Sequence, residues 1–177
     1  MSARLLTVWF AVVASSVYLL AHATDYPKRK PGLWEVTRSS PVPQLPPQVS
    51  RVCLDAATDQ LFYQLGVSAS QKLCSKTDIH TVGGQLVIDA VCTIGGSQTT
   101  SHSAFTFHGD SAYHEETTVH HDSTASAKRP DLQITSDAKW LGACTADMKP
   151  GDIVIQPSPM MPASMRMNIH DLLKDTK

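Results

Sequence analysis

Residues 73–121 read LCSKTDIHTVGGQLVIDAVCTIGGSQTTSHSAFTFHGDSAYHEETTVHH, and glycine turns cut this run into short β-rich pieces. Gly83-Gly84, Gly95-Gly96 and Gly109-Asp110 are dipeptides that suit tight hairpin turns. Ile79 lies before the first turn, and Leu86, Val87 and Ile88 follow it. Phe105 and Phe107 alternate with Thr106 and His108. A period of two with one apolar side marks a half-buried strand. A three-residue turn at His108-Gly109-Asp110 sets Phe107 opposite Ser111 and Phe105 opposite Tyr113, which puts both apolar sets on one face. The run therefore reads as an antiparallel meander.

Strands are also expected on either side of it. Leu33-Trp34-Glu35-Val36-Thr37 follows Pro31-Gly32, with Trp34 and Val36 as the inward pair. A proline-rich stretch, 39–47, separates it from a second strand at 50–54 that carries Cys53. A short helix follows, capped by Thr58, apolar at Leu61, Phe62 and Leu65, and ended by Gly66. After a polar loop at 123–130, Leu132 to Trp140 forms the last clear strand, with Leu132, Ile134 and Trp140 inward. The expected fold is mainly β: an antiparallel meander forming an open or partly closed barrel, with one or two short helices. A two-sheet sandwich is the runner-up.

The first 23 residues have the pattern of a cleaved export signal. Arg4 precedes an apolar stretch, and Ala21-His22-Ala23 supplies small residues at the cleavage positions. The stretch of 5–20 is short for a bilayer span, which needs about 20 residues, so no transmembrane segment is expected after cleavage. The core domain is expected at 24–150. Residues 151–177 form a Pro- and Met-rich extension, in which Met165, Ile169, Leu172 and Leu173 fit a short amphipathic helix. Loss of the leader removes Arg4 and no acid, leaving fourteen basic residues against sixteen acidic ones. Lys28-Arg29-Lys30 is the longest basic run and reads as a solubilising arm. No nucleic-acid partner is expected, because such binding needs clustered cations along a backbone track.

Four cysteines, Cys53, Cys74, Cys92 and Cys144, fall in the exported part, and an oxidising compartment favours joining them. Three pairings are possible. Folding the chain about Gly83 brings Cys74 across from Cys92 and leaves Cys53 for Cys144. A one-residue register slip misplaces Cys74 and leaves the other pairings open. The spacings match no compact zinc motif.

Gly32-Leu33-Trp34-Glu35, Val52-Cys53-Leu54, Cys74, Cys92, Tyr113 after a glycine turn, and Trp140-Leu141-Gly142-Ala143-Cys144 together resemble the DUF3617 family. The likeness covers roughly 27–150. It implies an exported, periplasmic protein of a Gram-negative envelope, and it brings no catalytic residue and no established activity.

The residues themselves suggest three kinds of chemistry. His102, His108, His114 and His120 recur every six residues and share one strand face. With His102 opposite Glu116 and Ala104 opposite His114, the set His102, His114 and Glu116 could hold zinc or copper. Met165 and Met167, near Met160 and Met161, offer soft thioethers to copper, with Arg166 set between them. Trp34, Phe105, Phe107, Tyr113 and Trp140 could line a cavity for an apolar ligand, or fill the core. There is no Gly-x-Ser-x-Gly elbow, no His-Glu-x-x-His and no phosphate loop. No enzyme activity and no resident cofactor are expected. The expected role is a binding or structural module of the envelope, with a small apolar molecule or an envelope protein as partner.

Overall fold

The computed structural model describes residues 26–41, 46–122 and 130–174. The export-signal reading of 1–23 lies outside the described residues. Nine strands build one antiparallel sheet: β1 (Gly32–Ser39), β2 (Gln48–Leu54), β3 (Cys74–Val82), β4 (Gln85–Ile94), β5 (Ser97–His108), β6 (Ala112–His121), β7 (Leu132–Gly142), β8 (Asp152–Ile155) and β9 (Met165–Asn168). Helix α1 (Ala56–Leu73) joins β2 to β3, and α2 (Ile169–Lys174) follows β9. The order across the sheet is β3-β4-β5-β6-β7-β1-β2-β8-β9. β3 and β9 are its two edges, and the sheet is not closed into a barrel. Helix α1 nonetheless touches β2 as well as β3 and β4, which lie six and five places away in the sheet. The sheet therefore curls about the helix.

The meander forms where the glycine turns lie, but its third hairpin is set differently. Phe107 faces Tyr113 and Phe105 faces Glu115, two residues from the expected register. The turn holds Gly109-Asp110-Ser111, since His108 itself pairs with Ala112. A two-residue shift preserves parity, so Phe105, Phe107 and Tyr113 still share a face. Across from them on the ladders come Leu86 and Ile88, then Ile79.

Helix α1 is longer than the sequence suggests. Asp55 is its N-cap, accepting from the Thr58 backbone N–H at 2.7 Å. Thr58 stands at the third helical position and returns its hydroxyl oxygen to the Asp55 N–H at 2.9 Å, completing a capping box. Gly66 does not end the helix. Glycine costs roughly 1 kcal/mol in a helix interior, and packing across the curled sheet outweighs that.

The core lies between α1 and the sheet. Trp34, Val52, Leu54 and Ala138 are its buried centre, with Val36, Phe62, Tyr113, Trp140 and Ile153 against them. A second, smaller cluster of Leu33, Cys53 and Met148, with Cys144 and Val154, sits on the other face. Cys53 is joined to Cys144 there, and Cys74 is joined to Cys92 at the edge hairpin. From the Gly83-Gly84 turn the ladder runs regularly to Lys76↔Val91, and an irregularity between Cys74 and Lys76 then shifts the register by one and sets Cys74 opposite Cys92.

Gly32 shows why β1 can begin where it does. Its φ is +133°, and a Cβ there would collide with the Gly142 carbonyl oxygen and the Trp140 indole. The β1–β7 ladder has its irregularity at this point, between Leu33 and Trp34. Only a residue without a side chain allows so close a backbone approach.

The basic run before β1 is not a free arm. Arg29 is half-buried, with Nε 2.6 Å from Asp59 Oδ1 on α1 and its backbone N–H donating to Oδ2 at 3.1 Å. Lys30 Nζ sits 4.0 Å from the Trp140 ring centroid, and the Lys30 carbonyl accepts from the Trp34 indole at 2.8 Å. The segment past residue 150 also joins the fold. β8 pairs with β2, β9 pairs with β8, and the amphipathic run splits, with Met165 and Met167 in β9 and Ile169 buried at the start of α2.

Candidate functional site

Between α1 and the far half of the sheet lies a cleft of about 250 Å³. Ile79, Leu86, Ile88, Phe105, Phe107 and Tyr113 form its floor. Strand alternation explains this, since all six project from β3–β6 on the face toward the helix. The rings of Phe107 and Tyr113 lie 5.5 Å apart, and Phe105 lies 6.4 Å from Phe107 and 6.2 Å from Tyr113. Phe62, Tyr63, Gly66 and Val67 of α1 form the roof. Nothing lies within 4 Å of where a Gly66 side chain would start, so its absence leaves open space in the cleft wall.

The N-terminal arm closes one end. Tyr26 stacks on Tyr63 at 4.4 Å, and the Tyr63 hydroxyl donates to the Pro27 carbonyl at 2.7 Å. The Arg29 guanidinium lies 5.6 Å from the Phe62 ring and 5.5 Å from that of Tyr63. Burial pushes the Tyr63 phenol up to about 12, with nearby Arg29 working against the shift. Burial also raises the Tyr113 phenol, and Arg29 again opposes it. Both phenols are neutral at physiological pH. The cleft is thus apolar over its floor, with polar groups where the arm meets the helix.

Of the five expected lining aromatics, the structure brings Phe105, Phe107 and Tyr113 to this cleft. Trp34 is 1% exposed and belongs to the core. Trp140 is half-buried, with its indole donating to the Pro31 carbonyl at 2.9 Å. Tyr26, Arg29 and Tyr63 were not legible as site residues.

The opposite face of the sheet is a ribbon of charge. His102 Nδ1 lies 2.8 Å from Asp89, His114 Nδ1 2.7 Å from Asp137, and His120 Nδ1 2.9 Å from Asp131. Glu35 receives Lys139 at 3.1 Å and Arg51 at 3.3 Å. The expected set of His102, His114 and Glu116 does not converge. The two-residue register shift puts His102 opposite Thr118 and Glu116 opposite Ala104, while His114 Nε2 keeps Glu116 at 3.5 Å. Met165 and Met167 face Ile155 and Ile153 across the β8–β9 ladder. Arg166 turns to the charged face, where it bonds Asp147 at 2.8 Å.

The hydrogen bond to Asp137, aided by Glu116, raises the His114 imidazole above its ordinary 6.5. Protonated His114 contributes its full stabilisation below about pH 6.5, and loses it as pH rises through the higher folded-state value. In an NMR titration, Asp137→Asn should bring the His114 midpoint down toward the ordinary range. An unchanged midpoint would rule out Asp137 as the cause.

Fold and site define a disulfide-linked, β-rich domain in which a curled sheet holds one long helix. The family model described as "Protein of unknown function (DUF3617)" matches residues 29–144, and the chain belongs to that family. No curated protein and no solved structure matches it. Among the described residues, no helix is long and apolar enough to cross a membrane.

Proposed function

We propose that this domain is a non-catalytic binding module of the periplasm that takes a small apolar group into the cleft between α1 and β3–β6. The carrying observation is the apolar floor of Ile79, Leu86, Ile88, Phe105 and Phe107, facing the stretch of α1 where Gly66 has no side chain and a Cβ would meet nothing within 4 Å. Drug-sized ligands occupy pockets of roughly 300 to 1,000 Å³. A cleft of about 250 Å³ therefore suits a compact aromatic group or an alkyl chain, the rest of the molecule staying outside. The polar end of such a molecule would meet Arg29 and the Tyr113 hydroxyl. Two disulfides and the signal-like leader support the compartment.

The test uses the fluorescent probe anilinonaphthalene sulfonate and decanoate as competitor. Saturable probe binding that decanoate displaces is expected. Gly66→Leu should weaken probe binding at least tenfold while raising or preserving the melting temperature, because leucine is the better helix former. Equal probe binding by Gly66→Leu, or no saturable binding by the native protein, would overturn the reading.

A further inference from the structure

The charged face of the β3–β4–β5 hairpins carries an arrangement that hydrogen bonding alone does not satisfy. Asp78 of β3 stands directly opposite Asp89 of β4. Like charges directly opposite on a ladder destabilise it. His80, two residues along β3 and on the same face, turns Nδ1 toward this pair, 3.4 Å from Asp78 Oδ2. That nitrogen is itself screened from solvent, although the His80 side chain as a whole is 39% exposed, and its approach to Asp78 makes no aligned hydrogen bond. A screened nitrogen that faces two carboxylates without an aligned hydrogen bond has room for a stronger partner.

From these observations we propose that Asp78, His80 and Asp89 hold a divalent cation of the zinc class. One ligand atom from each lies within 4.8 Å of the others. A tetrahedral ion with bonds of about 2.0 to 2.2 Å needs its ligands roughly 3.3 to 3.6 Å apart, so the three close by little more than an ångström. Two carboxylates and one imidazole neutralise a dication and match zinc better than calcium or magnesium, which favour all-oxygen sites. His102 completes the design from β5. Its Nδ1 bonds Asp89 Oδ1 at 2.8 Å, which orients that carboxylate and leaves its second oxygen for the ion. His102 is a positioning residue here. β3 is an edge strand, so the fourth coordination position faces water or a partner's donor. The ion would lie on the face opposite the apolar cleft, and its presence does not depend on that cleft being filled.

Calorimetric titration of the purified, disulfide-bonded protein with Zn²⁺ tests the assignment. One equivalent should bind, and Ca²⁺ and Mg²⁺ should not compete. His80→Ala and Asp89→Asn should each weaken binding by at least tenfold, and His102→Gln by about tenfold. His114→Gln, on the same face but outside the set, should bind as the native protein does. Melting curves establish that each variant is folded. Native-like zinc binding by folded His80→Ala, loss of binding in His114→Gln instead, or no heat with the native protein would overturn the proposal.

Discussion

Replacing Cys53 and Cys144 together by alanine should lower the unfolding free energy by about 4 to 5 kcal/mol. The bond closes a loop across 91 residues of sequence, and a cross-link restrains the unfolded chain more as its loop lengthens. Cys53 is fully buried beside Leu33 and Met148, and the link ties β2 to the segment leaving β7. The Cys74–Cys92 bond spans only 18 residues and should be worth about 3 kcal/mol on the same model. Urea unfolding of both double-alanine variants gives the ranking. Native stabilities run from about 5 to 15 kcal/mol, so the loss of the longer link leaves a marginal protein. A larger cost for the edge-hairpin pair would contradict the argument.

Trp34→Ala should cost about 3 to 5 kcal/mol. Trp34 is 1% exposed and packs with Val52, Leu54 and Ala138, and its ring lies 6.2 Å from that of Tyr113. It also supplies the indole N–H that the Lys30 carbonyl accepts. Truncation therefore opens a cavity in the core and removes one of the anchors of the N-terminal arm. Trp140→Ala, at a half-buried position, should cost clearly less. Urea melts of the two variants compare them directly, and equal costs would show that Trp34 is not the centre of the core.

The meander was legible because its glycine turns and period-two apolar runs are local signals. Gly83-Gly84 and Gly95-Gly96 fall at the β3–β4 and β4–β5 turns, where the sequence puts them. The third hairpin was legible in its faces and not in its register. Parity is set by which side chains are apolar, whereas the offset depends on whether His108 pairs or turns, and the sequence leaves those two nearly balanced. The helix was harder to read. Thr58 reads as the cap, but it stands inside the first turn and answers Asp55, and Gly66 resembles a stop until the packing of the helix on either side of it is known. Arg29 was misread for a similar reason. Its partner Asp59 lies 30 residues away on α1, and no local pattern announces that meeting. The cleft residues Phe105, Phe107 and Tyr113 were found by alternation. Trp34 and Trp140, equally aromatic, were separated from them only by the β1–β7 seam.

That seam has a consequence for how the chain assembles. β1 and β2 are hairpin neighbours, and β3 through β7 pair strand by strand in order, so both blocks can form through short-range contacts. β1 meets β7 only after about a hundred intervening residues have been gathered, as in Val36↔Ala138. Joining distant segments carries the larger entropic cost and slows folding. Docking of the two blocks along β1 and β7 is then the expected slow event, and the Cys53–Cys144 bond, once oxidised, would act as a latch that spares the chain from repeating it.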